Sequence, residues 1–363
     1  MGKLRSGYTT GACSAAAAKA AVICLFDQGL VEEIEIPFPD KSRVSFQIIE
    51  CGWKKEYHTA TASVKKDSGD DPDVTNGVII EVEAALQLKE ASTGTFDLVQ
   101  IKGGVGVGLV TKRGLAVPVG EPAINPVPMK MIRAAVSEGL EVTGTKLQVP
   151  LTITISIVNG EKLAEKTLNK RLGIIGGLSI LGTTGIVKPV SAQAWTDTIS
   201  TSMDVAKAAG LDQIILSTGR TSEKAVEEML TLPEEALVMM GDHLKYSLEE
   251  AKNKSFSTIH LAGMWAKIIK CGMGIPQTHV RNGALEVDKA IEFIGSCGAA
   301  QSVIERLKGS NTAREIYGRL VDEGDKDIIR AVCLMAKRYG QQVSGLQVYI
   351  YLVDASGTVV EQV

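Results

Sequence analysis

Residues 173–189 read GIIGGLSILGTTGIVKP, and this stretch decides how the chain is divided. It places five glycines and two threonines between apolar residues and a closing proline. Glycine lets the backbone adopt positive φ and come close to a ligand. Before the stretch the sequence is typical of strands and hairpins, and after it strands alternate with helices. The stretch is therefore predicted to join two architectures and to form the floor of a binding cleft.

The chain length supports this division, because 363 residues are too many for one hydrophobic core. We predict an α/β and α+β protein with two domains. The first, over residues 1–168, is an α+β layered domain, since its strands far outnumber its helices. The second, over residues 169–363, is a Rossmann-like parallel α/β domain. The sequence does not decide whether the terminal hairpin, residues 346–363, belongs to this domain.

Composition excludes several classes of function. The net charge of -3 argues against a nucleic-acid partner that is held by phosphate neutralisation. No uncharged apolar run approaches the roughly 18 residues of a membrane-spanning helix. Lys3 and Arg5 precede ACSAAAAKAAVICLF in the manner of a signal peptide, but Lys19 interrupts the apolar run. We therefore expect a helix that stays in a cytoplasmic protein, with no membrane partner. The oligomeric state is not specified.

The cysteines do not form a metal-binding pattern. A zinc or iron–sulfur site needs clustered ligands, and no C-x-x-C pair occurs. We expect reduced, buried thiols and no protein-bound metal. Cys13, beside the GYTTG turn, has the alternative role of a nucleophile, although no histidine partner can be identified. The six residues are Cys13, Cys24, Cys51, Cys271, Cys297 and Cys333.

The first domain is predicted to begin with a helix from about residue 13 to residue 27, capped by Thr9 or Thr10. Strand-like runs follow, and an acidic loop, KKDSGDDPDVTNG, lies between two of them. The spacing of its aspartates fails the pattern of a calcium loop. The loop is either a solvated turn or a source of a carboxylate, Asp67, for proton transfer.

Two glycine-rich runs imitate nucleotide-binding motifs without satisfying them. GGVGVG, over residues 103–108, lacks the last glycine of a dinucleotide fingerprint, where Leu109 stands, and predicts a bulged strand or tight turn. GLSILGTT, over residues 177–184, has Thr183 in place of the phosphate-binding lysine of a Walker A loop. ATP binding is therefore disfavoured. The second run suits either a ligand held by shape and hydrogen bonds or tight packing at a domain joint.

The second domain is predicted from its alternation of strands and helices, which is typical of a parallel sheet. Ligands of such sheets bind beyond the carboxyl ends of the strands. The loops at Gly176-Gly177, Ser217–Gly219, Gly241-Asp242 and Ala262-Gly263 are expected to line one crevice there. We expect His260 to end a strand over residues 258–261, where it is either a catalytic group or a structural histidine.

Five segments in this order resemble the CbiD family of cobalamin biosynthesis. They are LRSGYTTGACSAAAAKAA, KDSGDDPDVTNG, GGVGVGLVTKRGL with GEPAINPVP, RLGIIGGLSILGTTGIVKP, and HLAGMWAKIIK. They extend from residue 4 to residue 270, and five ordered matches are far more specific than any one of them. The resemblance implies methylation of carbon 1 of cobalt-precorrin-5B with S-adenosylmethionine as the donor. The cobalt belongs to the substrate.

Site residues are predicted from the chemistry of that reaction. An uncharged loop suits a cationic sulfonium, which favours a donor site at Gly176, Gly177, Thr183, Thr184 and Gly185. The carboxylates of the macrocycle should meet basic side chains, namely Lys102, Lys112, Arg113, Arg171 and Lys188. For proton transfer His260 ranks first and Asp67 second. Two other functions stay open: a non-catalytic tetrapyrrole carrier and a nicotinamide-dependent precorrin reductase.

Overall fold

The computed structural model describes residues 4–54, 56, 58–87, 98–278 and 285–363. It has a mixed α/β fold, as predicted, and divides into two compact units, Met1–Ser191 (the first unit) and Ala192–Val363 (the second unit). The division falls later than the predicted boundary after residue 168. The reason is that residues 173–189 form hydrogen bonds with strands of the first unit and not with the sheet of the second.

The first unit combines a central helix with one large sheet and several short strand pairs. Its helices are α1 (Thr10–Asp27), α2 (Pro126–Val142) and α3 (Gly160–Ala164). Its strands are β1 (Gly7–Tyr8), β2 (Glu33–Pro37), β3 (Arg43–Gln47), β4 (Glu50–Lys54), β5 (Thr59–Lys65), β6 (Ile79–Leu86), β7 (Val99–Gly103), β8 (Gly106–Val107), β9 (Leu109–Val110), β10 (Leu151–Ile157), β11 (Ile174–Ile175), β12 (Gly177–Leu178) and β13 (Ile186–Val187).

Helix α1 is the centre of the first core. It begins at Thr10, before the predicted start near residue 13. Its cap is Thr9, as predicted, because the Thr9 side chain accepts a hydrogen bond from the Ala12 backbone N–H at 3.2 Å. Its alanines favour the helix and let it lie close to the sheet β4-β5-β6-β10-β7 and to α2. By length and composition α1 could cross a membrane, but 83% of it is buried within the chain. It therefore serves as a core helix.

Short strand pairs connect the glycine-rich segments of the first unit. β1 pairs with β13, β9 with β11 and β8 with β12, and only the last of these pairs is parallel. The GGVGVG run forms the kinked strand path of β7, β8 and β9, as expected from its glycines. No helix follows residue 184 until α4, which begins at Ala192, so this segment lacks the strand–loop–helix form of a Walker A motif. An asparagine–glycine pair is typical of a hairpin turn, but after β10 the pair Asn159-Gly160 instead leads into α3, which begins at Gly160.

The second unit is a five-stranded sheet with helices on both faces. Its strands are β14 (Gln213–Ser217), β15 (Leu237–Met239), β16 (Thr258–Met264), β17 (Gln347–Val353) and β18 (Val359–Gln362). Its helices are α4 (Ala192–Ala208), α5 (Arg220–Glu227), α6 (Leu244–Asn253), α7 (Trp265–Gly272), α8 (Val287–Ser296), α9 (Gln301–Leu307), α10 (Ala313–Asp322) and α11 (Lys326–Ser344).

The order of this sheet is β15-β14-β16-β17-β18. The first four strands are parallel, and β18 completes the predicted terminal hairpin by pairing antiparallel with β17. One face packs against α4, α6, α7 and α11, which contribute residues such as Met203 and Leu248 to its core. The other face packs against α5 through Val226. Strands β14, β16 and β17 are apolar on both faces because both are covered.

Candidate active site

The acidic loop of the first unit is docked on the N-terminal segment. The Tyr8 backbone N–H donates to the Asp67 carbonyl at 2.7 Å. A Cβ on Gly7 would lie within 3.0 Å of backbone atoms of Asp67, Ser68 and Gly69. Such an approach is open only to glycine. This contact fixes the loop beside the start of α1.

The carboxylates of the loop bind neighbouring backbone and basic groups. Asp71 Oδ1 accepts a hydrogen bond from the Val190 backbone N–H at 2.9 Å, which ties the loop to the end of the glycine-rich stretch. Asp73 forms an ion pair with the buried Lys66 at 2.6 Å. Asp67 pairs with both terminal nitrogens of Arg5, and hydrogen bonding to Arg5 is the main cause of its lowered pKa. These contacts anchor the loop to its neighbours, and the loop also keeps exposed residues such as Asp70 and Asn76, as a solvated turn does. Asp67 itself is an ionised, half-exposed carboxylate.

Two of the glycines predicted to bind the donor are in close packing contacts. A Cβ on Gly177 would lie 2.7 Å from the carbonyl carbon of Val107 and closer still to the Gly106 carbonyl. A Cβ on Gly185 would lie 2.7 Å from the ring of Phe38. These positions are glycine because other parts of the protein occupy the space. Their geometry is explained without a ligand.

The other three predicted donor residues are accessible. Gly176 has φ of +78°, and a Cβ there would meet nothing within 4 Å. Thr183 and Thr184 are exposed. The Thr184 hydroxyl lies 3.2 Å from the backbone nitrogen and the carbonyl oxygen of Ile186, within hydrogen-bond distance in a local turn. The structure thus leaves three of five positions open to a ligand.

The N-terminus of α1 is closed to anions. The Gly11 N–H donates to the Leu181 carbonyl at 3.2 Å, and the Ala12 and Cys13 N–H groups donate to Thr9. These are the donors that would otherwise hold a phosphate or carboxylate. Cys13 is fully buried, and burial raises the pKa of its thiol to about 12. A nucleophilic role for this cysteine does not fit such surroundings.

Three of the predicted basic residues lie together. The Thr111 N–H donates to the Gly173 carbonyl at 2.7 Å, and Lys112 Nζ donates to the Arg171 carbonyl at 3.0 Å. Arg113 follows directly and is exposed. These contacts bring the segment after β9 beside the segment before β11.

An exposed apolar pair adjoins these cations. Leu109 and Ile175 are opposite each other in the β9–β11 pair and are 47% and 46% exposed. Apolar side chains directly beside cations suit a flat ring with a carboxylate rim. We call this surface the basic face; it consists of Leu109, Lys112, Arg113, Arg171 and Ile175.

The remaining two basic residues lie on other elements. Lys102 is exposed on the edge strand β7, where it is opposite Thr154 of β10. Lys188 is exposed and directly follows β13, the strand that pairs with β1. No described contact joins either of them to the basic face.

His260 does not lie at the carboxyl end of its strand. Strand β16 continues to Met264, so His260 is its third residue, and the predicted end at residue 261 is wrong. Its Nδ1 lies 2.9 Å from the Tyr351 hydroxyl and its Nε2 lies 3.1 Å from Gln213 Oε1. These partners fit a neutral ring in which Nε2–H donates to Gln213 and Nδ1 accepts from Tyr351. Burial lowers the pKa of the imidazole, which favours the same neutral form. The contacts are those of a structural histidine.

At the carboxyl edge of the second sheet, sequence reasoning missed Glu223, whereas Asp242 lies in a loop that was predicted to line this edge. Glu223 is buried in the first turn of α5, and its Oε2 accepts a hydrogen bond from Ser217 at 3.1 Å. Asp242 pairs with Lys267 of α7 and accepts a hydrogen bond from the Thr278 hydroxyl at 2.8 Å. The signal for Glu223 in the sequence was its place in the first turn of the helix that begins with the arginine of STGR, where acidic side chains are favourable.

Two shallow cavities lie apart from the predicted residues. One, of about 330 Å³, lies in the first unit between Asn76 and α3. The other, of about 320 Å³, lies in the second unit beside His243 and Tyr246. Among the residues that the structure describes, no three histidine, cysteine or acidic side chains are grouped to hold a metal ion.

The fold defines a two-unit α/β protein. Its first unit carries glycine-rich strand pairs and the basic face. The family model described as CbiD matches residues 1–189, and the model described as CbiD, C-terminal domain, matches residues 277–363. The chain belongs to the CbiD family, as the five motifs predicted.

Curated relatives extend over nearly the whole chain. A cobalt-precorrin-5B C(1)-methyltransferase of Desulfotalea psychrophila is 54% identical over 98% of this chain and 97% of its own length. The protein of the same name from Geobacter sulfurreducens is 46% identical over 98% of each chain. A crystal structure titled cobalamin biosynthesis protein (cbiD) from Archaeoglobus fulgidus is 24% identical, covers 89% of this chain and 86% of its own, and has a TM-score of 0.41.

Proposed function

We propose that this chain transfers a methyl group to carbon 1 of cobalt-precorrin-5B. The observation that carries the proposal is the full-length similarity to a relative of that name at 54% identity. The two relatives described above both carry the methyltransferase name, and neither is named as a tetrapyrrole carrier or a nicotinamide-dependent reductase. The reaction belongs in the cytoplasm, and its partners are small molecules.

The basic face is the proposed binding surface for the macrocycle. Leu109 and Ile175 offer an exposed apolar contact for the flat ring. Arg113 and Arg171 offer guanidinium groups that can bind a carboxylate through two parallel hydrogen bonds. Lys102 and Lys188 are available for carboxylates further from this surface.

The proposed donor is S-adenosylmethionine, and cobalt enters with the substrate. Carbon 1 attacks the methyl group on the sulfonium sulfur. A carbon–carbon bond forms while the carbon–sulfur bond breaks, and its electron pair stays on the sulfur as neutral S-adenosylhomocysteine leaves. Because the sulfonium methyl is already a good electrophile, the protein has mainly to align the two reactants and exclude water.

Of the predicted catalytic groups, Asp67 is the better placed to meet a ligand. Its carboxylate is half-exposed, whereas both ring nitrogens of His260 are engaged within the second unit. The lowered pKa of Asp67 keeps it ionised at neutral pH, so it can stabilise a positive charge or accept a proton only weakly. Of the predicted donor residues, Gly176, Thr183 and Thr184 are open to a ligand.

The test supplies the purified chain with cobalt-precorrin-5B and S-adenosylmethionine labelled in the methyl group. We expect label in the macrocycle with wild-type protein. Absence of label, with intact substrate and bound macrocycle, would support the carrier instead.

Arg113→Ala tests the basic face in the same assay. Loss of one charge-assisted contact should raise KM about 10-fold, with a much smaller change in kcat. Arg314→Ala removes an equally exposed arginine from α10 and should leave KM unchanged. Equal KM values for the two variants would remove Arg113 from the binding surface.

A further inference from the structure

The acidic loop of the first unit contains a buried lysine. Lys66 is 2% exposed, and its Nζ forms an ion pair with Asp73 Oδ2 at 2.6 Å. The same Nζ donates a hydrogen bond to Ser68 Oγ, and Ser68 is fully buried. A lysine is almost never fully buried unless it is paired. The loop therefore has a small polar core of its own, which we call the loop core; it consists of Lys66, Ser68 and Asp73.

The loop core determines the direction in which Asp67 faces. Lys66 continues the pairing of β5 with β6, because its N–H donates to the Val78 carbonyl at 2.8 Å. Lys66 and Ser68, the two neighbours of Asp67, both turn their side chains inward and are bonded to each other. Successive side chains of an extended segment point to opposite sides. Asp67 consequently faces outward, and its side chain is 48% exposed.

Hydrogen bonds also fix the peptide groups around Asp67. The Ser68 N–H donates to Asn76 Oδ1 at 2.9 Å, and the Gly69 N–H donates to Asp67 Oδ1 at 2.8 Å. The Tyr8 N–H holds the Asp67 carbonyl from the side of β1. The main chain and the carboxylate of Asp67 therefore have little freedom while the loop core stays in place.

Stability alone does not explain a buried ion pair. Taking a lysine and a carboxylate out of water costs free energy that their attraction barely returns, and apolar residues of similar volume often give equal or greater stability. In some proteins buried polar groups instead fix one conformation. In this loop the conformation that Lys66 and Asp73 fix is the one that presents Asp67 to the surface.

A fixed carboxylate has a use in the proposed reaction. The methyl group leaves a sulfonium, and the positive charge of the donor passes to the macrocycle. A carboxylate that is held in place before the reaction stabilises this charge without having to reorient. Displacement of such a group by about 1 Å can lower the rate about 100-fold. The geometry behind Asp67 therefore matters for the rate as well as for folding.

We propose that the buried ion pair of Lys66 and Asp73 is a positioning device for Asp67 in methyl transfer. Lys66 and Asp73 do not touch the macrocycle or the donor, and they act through the direction in which Asp67 leaves the loop. This inference rests on the proposed function and on Asp67 as the carboxylate that meets the ligands.

The first test replaces Asp73 by asparagine in the labelled-methyl assay. Asp73→Asn keeps the shape of the side chain and removes the charge opposite Lys66. We expect kcat to fall about 10-fold with less than about a twofold change in KM, because Asp73 acts on the reacting carboxylate and not on substrate affinity. An unchanged kcat in folded Asp73→Asn protein would overturn the proposal.

Glu138→Gln is the matched control. Glu138 also pairs with a buried lysine, Lys19, at 2.7 Å, and the Glu138 and Asp73 side chains are 27% and 23% exposed. Both variants should therefore lose stability in urea unfolding, but Glu138→Gln should keep the kcat of the wild type. Equal losses of kcat in the two variants would reflect general destabilisation and contradict the proposal.

A double-mutant cycle separates positioning from a purely structural role. Asp67→Asn should lower kcat on its own, and the addition of Asp73→Asn should then change kcat by less than about twofold. An effect that is transmitted through Asp67 disappears once Asp67 has been changed, whereas an independent effect multiplies. The full loss repeated in the Asp67→Asn background would reject the positioning role, and so would a wild-type kcat in Asp67→Asn alone.

Ser68→Ala is a milder change that serves if Asp73→Asn does not fold. It leaves the ion pair intact and removes the hydroxyl that joins Lys66 Nζ to the residue after Asp67. We expect kcat to fall about 3-fold, the value of a weak hydrogen bond. Ser247→Ala removes an equally buried hydroxyl from α6 of the second unit and should have the kcat of the wild type. Equal kcat values for the two variants would overturn the link between the loop core and Asp67.

Outcomes for the positioning role and for the function can be separated. Wild-type protein that transfers label, while Asp73→Asn and Ser68→Ala keep the wild-type kcat, retains the function and rejects the positioning role. Wild-type protein that transfers no label rejects the function, and the positioning role is rejected with it.

Discussion

Replacing Gly177 by alanine should destabilise the first unit severely. The new Cβ would lie 2.7 Å from the carbonyl carbon of Val107 and closer to the Gly106 carbonyl, and backbone cannot move aside as a side chain can. Overpacking of this kind costs about 1–3 kcal/mol. Separation of β12 from β8 would also remove the bond from Gly108 N–H to Leu178 O, at 2.9 Å, which is worth about 1 kcal/mol. The expected loss is about 2–4 kcal/mol.

The adjacent glycine provides the control. Gly176→Ala adds the same methyl group where nothing lies within 4 Å, so its cost is about 1 kcal/mol, from the positive φ alone. Urea unfolding followed by circular dichroism gives both free energies. Equal stability of Gly177→Ala and Gly176→Ala would contradict the packing role of Gly177. In that case the space beside Gly177 would be open to a ligand.

Two further predictions concern the half-buried Glu138 and the buried Cys13 of the first unit. Hydrogen bonding to Arg43, and then to Lys19, lowers the pKa of Glu138 to about 2, so its stabilisation is complete above its unfolded pKa of about 4.5 and is lost as the pH falls towards 2. Glu138→Gln should therefore cost about 2 kcal/mol at pH 7 and almost nothing at pH 2, whereas Glu141→Gln, exposed on the same helix, should cost little at either pH in urea unfolding. Cys13 should resist alkylation by iodoacetamide in the folded protein and react after unfolding, and labelling in the folded state would contradict its burial.

Local patterns predicted the regular elements well. An alanine-rich run after a threonine gave α1, because the propensity and the cap are both encoded within a few residues. The β–α alternation likewise predicted the strands and helices of the second unit. His260 was misplaced because AGM, after the β-branched and apolar residues, continues the strand to Met264 without a strong strand signal of its own.

Contacts between segments that are distant in sequence could not be predicted from local patterns. β12 pairs with β8, and each is two residues long, so neither has a periodicity to detect. The docking of the acidic loop on Arg5 joins segments that are 62 residues apart. From the sequence alone, a glycine that packs against a distant segment cannot be distinguished from a glycine that makes room for a ligand.

The distinction between those two kinds of glycine also orders the search for the active site. Gly177 and Gly185 face protein atoms within 3.0 Å, whereas Gly176 and Gly219 face open space. Only the second kind leaves free space for a larger side chain, although at Gly176 the positive φ still strains any substitution. Gly219 differs from Gly176 in its backbone, because its φ of 173° is extended and can be adopted by any residue. A larger side chain at Gly219 therefore tests the open space alone, whereas one at Gly176 also tests the left-handed backbone.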